Sequence, residues 1–225
     1  MKGALYVAAL GASLAGTMPA SAQDLESGAY VGVRAIGSIA EIDDVEGNGF
    51  TGTPRVVNDS DEVAGIAGVV GYRWDVLPLR TEIEGGHRFR FDLDVKDETP
   101  GGDIDYESNV ATTSVVLNAI LEWRNSSAFT PFVGGTVGWA RNDADTTRTV
   151  LASGAESSRD QDEDNLAWGG MVGVDWEFTE NWSSELAYRY INLGEVSSGA
   201  LEGGDSISTG DYTSHDILLS VFYRF

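Results

Sequence analysis

Long stretches of this chain alternate apolar and polar residues with a period of two. Ile217, Leu219, Val221, Tyr223 and Phe225 alternate with Leu218, Ser220, Phe222 and Arg224. Leu186, Tyr188 and Tyr190 alternate with Glu185, Ala187 and Arg189. Trp168, Val172, Val174, Trp176 and Phe178 alternate with Gly169, Met171, Gly173, Asp175 and Glu177. Successive side chains on a strand point to opposite faces, so each stretch reads as a strand with one apolar and one small or polar face. Eight such strands are expected: Gly28–Ile39, Val63–Trp74, Leu79–Phe91, Asn109–Trp123, Phe129–Arg141, Leu166–Phe178, Trp182–Leu193 and Thr213–Phe225. Asp75–Pro78, Arg124–Ala128 and Thr179–Asn181 are short connections. Ala40–Glu62, Asp92–Ser108, Asn142–Asn165 and Gly194–Tyr212 are long and polar.

Each stretch is long enough to cross a bilayer when tilted, which takes roughly 9–11 residues. Lipid cannot satisfy an open strand edge, so strands that span a membrane must close into a barrel. Short turns on one side and long loops on the other fit an all-β, eight-stranded antiparallel transmembrane barrel, with four long outer loops and short periplasmic turns. The tryptophans agree with this map. Trp74, Trp123, Trp176 and Trp182 flank short turns, and Trp139 and Trp168 fall where strands meet a long loop. These are the places of interfacial aromatic girdles. A soluble sandwich would instead put its aromatics at mid-strand, where this chain has Gly, Ala, Val, Ile and Leu.

Composition narrows the picture. Lys2, the apolar Gly3–Ala15 and Ala20-Ser21-Ala22 form a signal peptide over residues 1–22, leaving a barrel domain over residues 23–225. Loss of Lys2 takes the formal net charge from -22 to -23. That acidity argues against nucleic acid as a partner. Export permits disulfides, yet the chain has no cysteine, so burial and hydrogen bonding alone must hold the fold. Six Trp, eight Tyr and eight Phe speak against a disordered acidic chain. Twenty-eight glycines suit strands that curve around a narrow interior.

The chain ends on Val221-Phe222-Tyr223-Arg224-Phe225, which resembles the end of outer-membrane barrel proteins. Leu77-Pro78-Leu79-Arg80-Thr81-Glu82-Ile83-Glu84-Gly85 resembles the third strand of opacity-type porins and of alphaproteobacterial surface antigens. Pro131-Phe132-Val133-Gly134-Gly135-Thr136-Val137-Gly138-Trp139 resembles their fifth. The resemblance to opacity-type and OmpA-like barrels covers the mature chain. It implies an eight-stranded surface protein of a Gram-negative outer membrane, without catalytic residues. It also implies that the last strand, with Tyr223 and Phe225, is the signal read by the barrel-assembly machinery.

Strand parity sends Arg34, Arg73, Arg80, Glu82, Glu84, Arg88, Arg90, Glu122, Asp175, Glu177, Glu185, Arg189 and Arg224 inward, together with Asn118. A narrow barrel is just wide enough for side chains to fill it, so an ion-paired interior with trapped water is expected rather than a wide channel. His87 falls on the lipid-facing parity. His215 and Asp216 are neighbours on one strand and point to opposite faces, so they do not form a catalytic dyad. Asp160, Asp162 and Asp164 alternate, but the helix-loop-helix calcium motif would need Gly and Glu where Asn165 and Met171 stand. They read as a solvated acidic loop. Asp43, Asp44, Glu46, Asp59, Asp61, Glu62, Asp97, Glu98, Asp103, Asp105, Asp143 and Asp145 extend the acidity over three loops.

The expected function is structural and interactive, at the cell surface, through these acidic loops. A narrow porin passing small solutes is the alternative, and a barrel hydrolase the weaker one. No cofactor is expected. The expected partners are outer-membrane lipid, lipopolysaccharide, the assembly machinery and divalent cations at the loops. N-terminal sequencing of the protein from the outer membrane should begin at Gln23. A retained Met1 in that fraction would exclude cleavage after Ala22.

Overall fold

A computed structural model of the chain describes residues 27–42, 46–48, 53–58, 60–75, 77–98, 104–150, 154–200, 206–208 and 212–225. The expected signal peptide and its cleavage site lie outside them. Eight long strands make the barrel: β1 Gly28–Ile42, β2 Ser60–Arg73, β3 Leu79–Glu98, β4 Ile104–Glu122, β5 Phe129–Val150, β6 Ala155–Glu177, β7 Trp182–Asn192 and β8 Tyr212–Arg224. Each pairs antiparallel with its neighbour in sequence, and β8 returns to β1 from Tyr30↔Arg224 to Ile42↔Tyr212. The sheet therefore has no edge within the barrel wall, as lipid requires.

Alternation sets the two faces. Along β8, Leu218, Ser220 and Phe222 are buried while Ile217, Leu219 and Val221 are exposed, and the other strands repeat this. The exposed apolar side chains make the lipid-facing surface. All six tryptophans belong to it. Trp182 meets Tyr223 edge-on at 5.1 Å and Phe129 stacks on Trp176 at 6.1 Å, continuing the girdle at the short-turn side. The turns there are held locally. Asn125 Oδ1 accepts from the Ser127 amide at 2.8 Å, and Arg124 donates to the Trp74 carbonyl at 2.6 Å.

The outer segments differ from the expectation. Asp92–Ser108 and Asn142–Asn165 are mostly strand rather than loop: β3 and β4 stay paired out to Asp97↔Ile104, and β5 and β6 out to Val150↔Ala155. The reason is visible in β5, where Asn142, Ala144 and Thr146 turn inward and are buried while Arg141, Asp143 and Asp145 turn outward. The outward row is charged instead of apolar, which hides a two-residue period from a hydrophobicity reading. Short strands decorate these hairpins. Thr53–Asn58 pairs with the outer part of β3, and Glu46–Asn48 pairs with Ser206–Ser208, which also pairs with Ser197–Ala200.

Phe225 extends the seam between the chain ends. Its amide donates to the Ala29 carbonyl at 3.2 Å and its ring meets Tyr223 at 5.4 Å. Deleting Phe225 should lower the yield of heat-modifiable barrel in the outer membrane while leaving synthesis and export unchanged. Quantitative blotting of heated and unheated samples reads this, and normal yield with normal mobility would reject an assembly role.

Candidate functional site

The site is the barrel interior. Inward parity places Arg34, Arg73, Arg80 and Arg88 from β1–β3, Glu82 and Glu84 from β3, Glu122 from β4, Asp175 and Glu177 from β6, and Glu185 and Arg189 from β7. All are buried. Arg34, Arg80, Arg88 and Arg189 have at most 1% of their surface exposed. Such burial is tolerable only if each cation meets carboxylates.

The pairs are layered. Next to the short turns, Arg73 is held by Glu122 at 2.9 Å, Asp175 at 2.7 Å and Glu177 at 2.6 Å. Arg224 sits at this mouth and pairs with Glu177 at 3.3 Å, and Arg124 pairs with Glu122 at 3.2 Å. A cavity of about 20 Å³ lies beside them, room for about one water. Above it Arg80 pairs with Glu185 and lies over the Phe132, Phe222 and Tyr30 rings at 5.1, 5.6 and 5.8 Å. Its Nε lies 3.3 Å from Glu82 but is not aligned for a hydrogen bond. Arg34 ties three carboxylates together: Glu84, Glu185 at 2.8 Å and Glu82 at 3.3 Å. Arg189 bridges Glu84 at 2.8 Å and Asp216 at 2.9 Å, and Arg88 meets Asp216 at 2.6 Å. Asn118 donates to Glu82 and Glu84, both at 3.2 Å.

Glycine makes room for the rings. A Cβ on Gly71 would lie 2.3 Å from the Tyr30 ring, and one on Gly32 would lie 2.2 Å from Phe222. Tyr30 then reaches Glu82 with a 2.9 Å hydrogen bond. Above the charges, Ala40, Val63, Val110, Val116, Ala140, Ala144, Ala167, Ile191, Leu193, Val196 and Tyr212 form one apolar cluster toward the outer mouth.

Arg90 corrects the parity list. The β3–β4 register shifts between Arg88 and Phe91, so Arg90 faces out and pairs with Asp145 at 2.9 Å. A bulge adds one residue and reverses the parity beyond it. Asp216 is a further inward carboxylate, fully buried. Its signal was present, because it precedes Leu218 by two on the buried face. It also accepts from Ser38 at 2.6 Å and Ser214 at 2.7 Å. His215 faces the other way and shares a 2.6 Å hydrogen bond with Tyr188. His87 is exposed beside Thr113 at 3.0 Å.

Asp160, Asp162 and Asp164 lie on β6, not in a loop. Asp162 stands directly opposite Asp143 and Asp160 opposite Asp145. Desolvation and a hydrogen bond with Asp162 raise the Asp143 carboxyl, while the hydrogen bond from Arg141 lowers Asp162. Among the described residues no group of three His, Cys, Asp or Glu side chains is gathered to hold a metal ion. Of the other acidic residues singled out, Asp43, Asp44, Asp59 and Asp103 lie outside the described residues.

The chain is similar to known outer-membrane proteins. Outer membrane protein PagN of Salmonella typhimurium is 29% identical over 180 residues, covering 73% of this chain and 75% of that protein. The crystal structure of OprG, an outer membrane protein from Pseudomonas aeruginosa, superposes with a TM-score of 0.52 at 16% identity, covering 88% of this chain and 96% of OprG. Neisserial surface protein A gives 0.49 at 18% identity, over 89% of this chain and 99% of that one. The model of the outer membrane protein beta-barrel domain matches residues 8–225, and the chain belongs to that family of Gram-negative outer-membrane proteins.

Proposed function

We propose that this protein is a non-conducting surface barrel that works by displaying its outer hairpins. One observation carries the reading: the interior is filled by ion pairs and an apolar cluster, while paired strands continue far past the outer girdle. From Trp139 to the end of β5 at Val150 the strand runs roughly 35 Å, at about 3.3 Å per residue. A solute pathway does not need such hairpins, whereas a contact surface does. Their outward rows are acidic, so the partner face they complement is cationic. Lipopolysaccharide bridged by divalent cations, and the assembly machinery during biogenesis, remain proposed partners. The hydrolase alternative has no support in the geometry around His215, whose ring partner is a tyrosine and not a carboxylate.

Single-channel recording of the refolded barrel in a planar bilayer should show no steady conductance. Large, stable open channels would replace this reading with the porin one.

The seal has a measurable strength. Removing Glu84 leaves Arg34 and Arg189 short of a shared carboxylate in a desolvated space. Glu84→Ala should destabilise the barrel by about 3–5 kcal/mol in urea titrations in lipid vesicles. A double-mutant cycle with Arg189→Ala should show coupling of at least about 1 kcal/mol. A loss below about 0.5 kcal/mol, typical of an exposed pair, would mean that water fills this part of the lumen.

A further inference from the structure

The segment after β7 folds into the outer mouth. The chain turns at Gly194, whose φ is +83°, and its amide donates to Asn192 Oδ1 at 2.8 Å. Leu193 and Val196 point inward and are buried at 0% and 4% exposure, while Glu195 between them is exposed. They join an apolar layer contributed by β1, β2, β4, β5, β6, β7 and β8, so the layer reaches across the barrel. Backbone bonds with Tyr212 hold one side: Leu193 donates to its carbonyl at 2.8 Å, and its amide donates to Gly194 at 2.7 Å.

Two asparagine side chains hold the other side. Asn142 on β5 donates to the carbonyls of Leu193 and Glu195, each at 3.1 Å. Its own oxygen accepts from Thr112 at 2.9 Å. Asn165 on β6 donates to the Glu195 carbonyl at 2.9 Å and accepts from the Glu195 amide at 3.2 Å. Side-chain amides take the place of a strand partner for this segment, and Asn142 satisfies the Leu193 carbonyl, which burial would otherwise leave unpaired.

We propose that Leu193–Val196 is a strap that seals the outer mouth, and that Asn142 and Asn165 are its clamps. Both clamps sit at the base of the β5–β6 hairpin, so a partner that bends the hairpin loads the clamps directly. Displacing the strap would withdraw Leu193 and Val196 from the apolar layer and admit water down to the Arg88–Asp216 pair. The charged layers nearer the short turns stay in place. The strap thus links what touches the outer hairpin to access of the upper lumen, a link that rests on the closed-lumen reading above.

The absence of cysteine makes the test clean. Ser114 is buried, faces the lumen opposite Ala140 and lies one inward position below Thr112. A Ser114→Cys reporter in the refolded barrel is treated with a small cationic methanethiosulfonate, and the labelling rate is followed by mass. Labelling should be slow in the otherwise unchanged protein and at least about tenfold faster with Asn142→Ala and Asn165→Ala combined, because both clamps are lost. Gly194→Val is an independent route, since its Cβ would lie 2.4 Å from the Asn165 side chain at a φ that valine resists. It should accelerate labelling likewise. Heat-modifiable mobility identifies closed barrels, and either variant decides if the other fails to fold. Equal rates in closed barrels with and without the clamps, whether slow or fast, would overturn the strap. Failure of the closed-lumen reading would show separately, as steady conductance of the unchanged barrel.

Discussion

A backbone amide or carbonyl facing hydrocarbon without a partner costs several kcal/mol, and the rest of this structure follows from avoiding that cost. The β1–β8 seam closes the sheet, and closure makes every strand two-faced. Once one face must meet lipid, the opposite face has nowhere to go except a lumen only wide enough for side chains. The charged residues of that face then cannot be solvated individually. They can only be arranged.

The arrangement is balanced. Among the described residues, Arg34, Arg73, Arg80, Arg88 and Arg189, with Arg124 and Arg224 at the mouth, face Glu82, Glu84, Glu122, Asp175, Glu177, Glu185 and Asp216. Seven cations meet seven carboxylates, and no layer is left with one sign alone. Arginine suits this task because its fork engages several oxygens in fixed directions, as Arg34 does with three carboxylates. Ion pairs of this kind add little net stability over a packed apolar core, but they penalise any register other than the one that pairs them. A one-residue slip would turn Arg34 toward lipid and Ile39 toward the lumen.

The outer half follows different physics. Beyond the girdle, water replaces lipid on the outside, so the outward rows of β5 and β6 change from apolar to acidic while the inward row of β5, Asn142, Ala144 and Thr146, stays buried. The result is a long hairpin whose base holds the segment after β7 through the side chains of Asn142 and Asn165.

Alternation by itself determined the strand count, the order of short and long connections, the girdle tryptophans and most of the inward charges. These depend only on which face of its own strand a residue occupies, which is a local property. It could not determine where the strands stop, because the membrane's end changes the outward residues without ending the ladder. It could not place Arg90, whose parity is reversed by a bulge in the pairing of β3 with β4. Nor could it show who pairs with whom. Arg88 and Asp216 are 128 residues apart in the chain and 2.6 Å apart across the lumen. The strap is likewise invisible in sequence, since Leu193 and Val196 gain their partners only from the curvature that brings seven strands around them. Facing is written residue by residue, whereas pairing across the lumen arises only when the sheet closes.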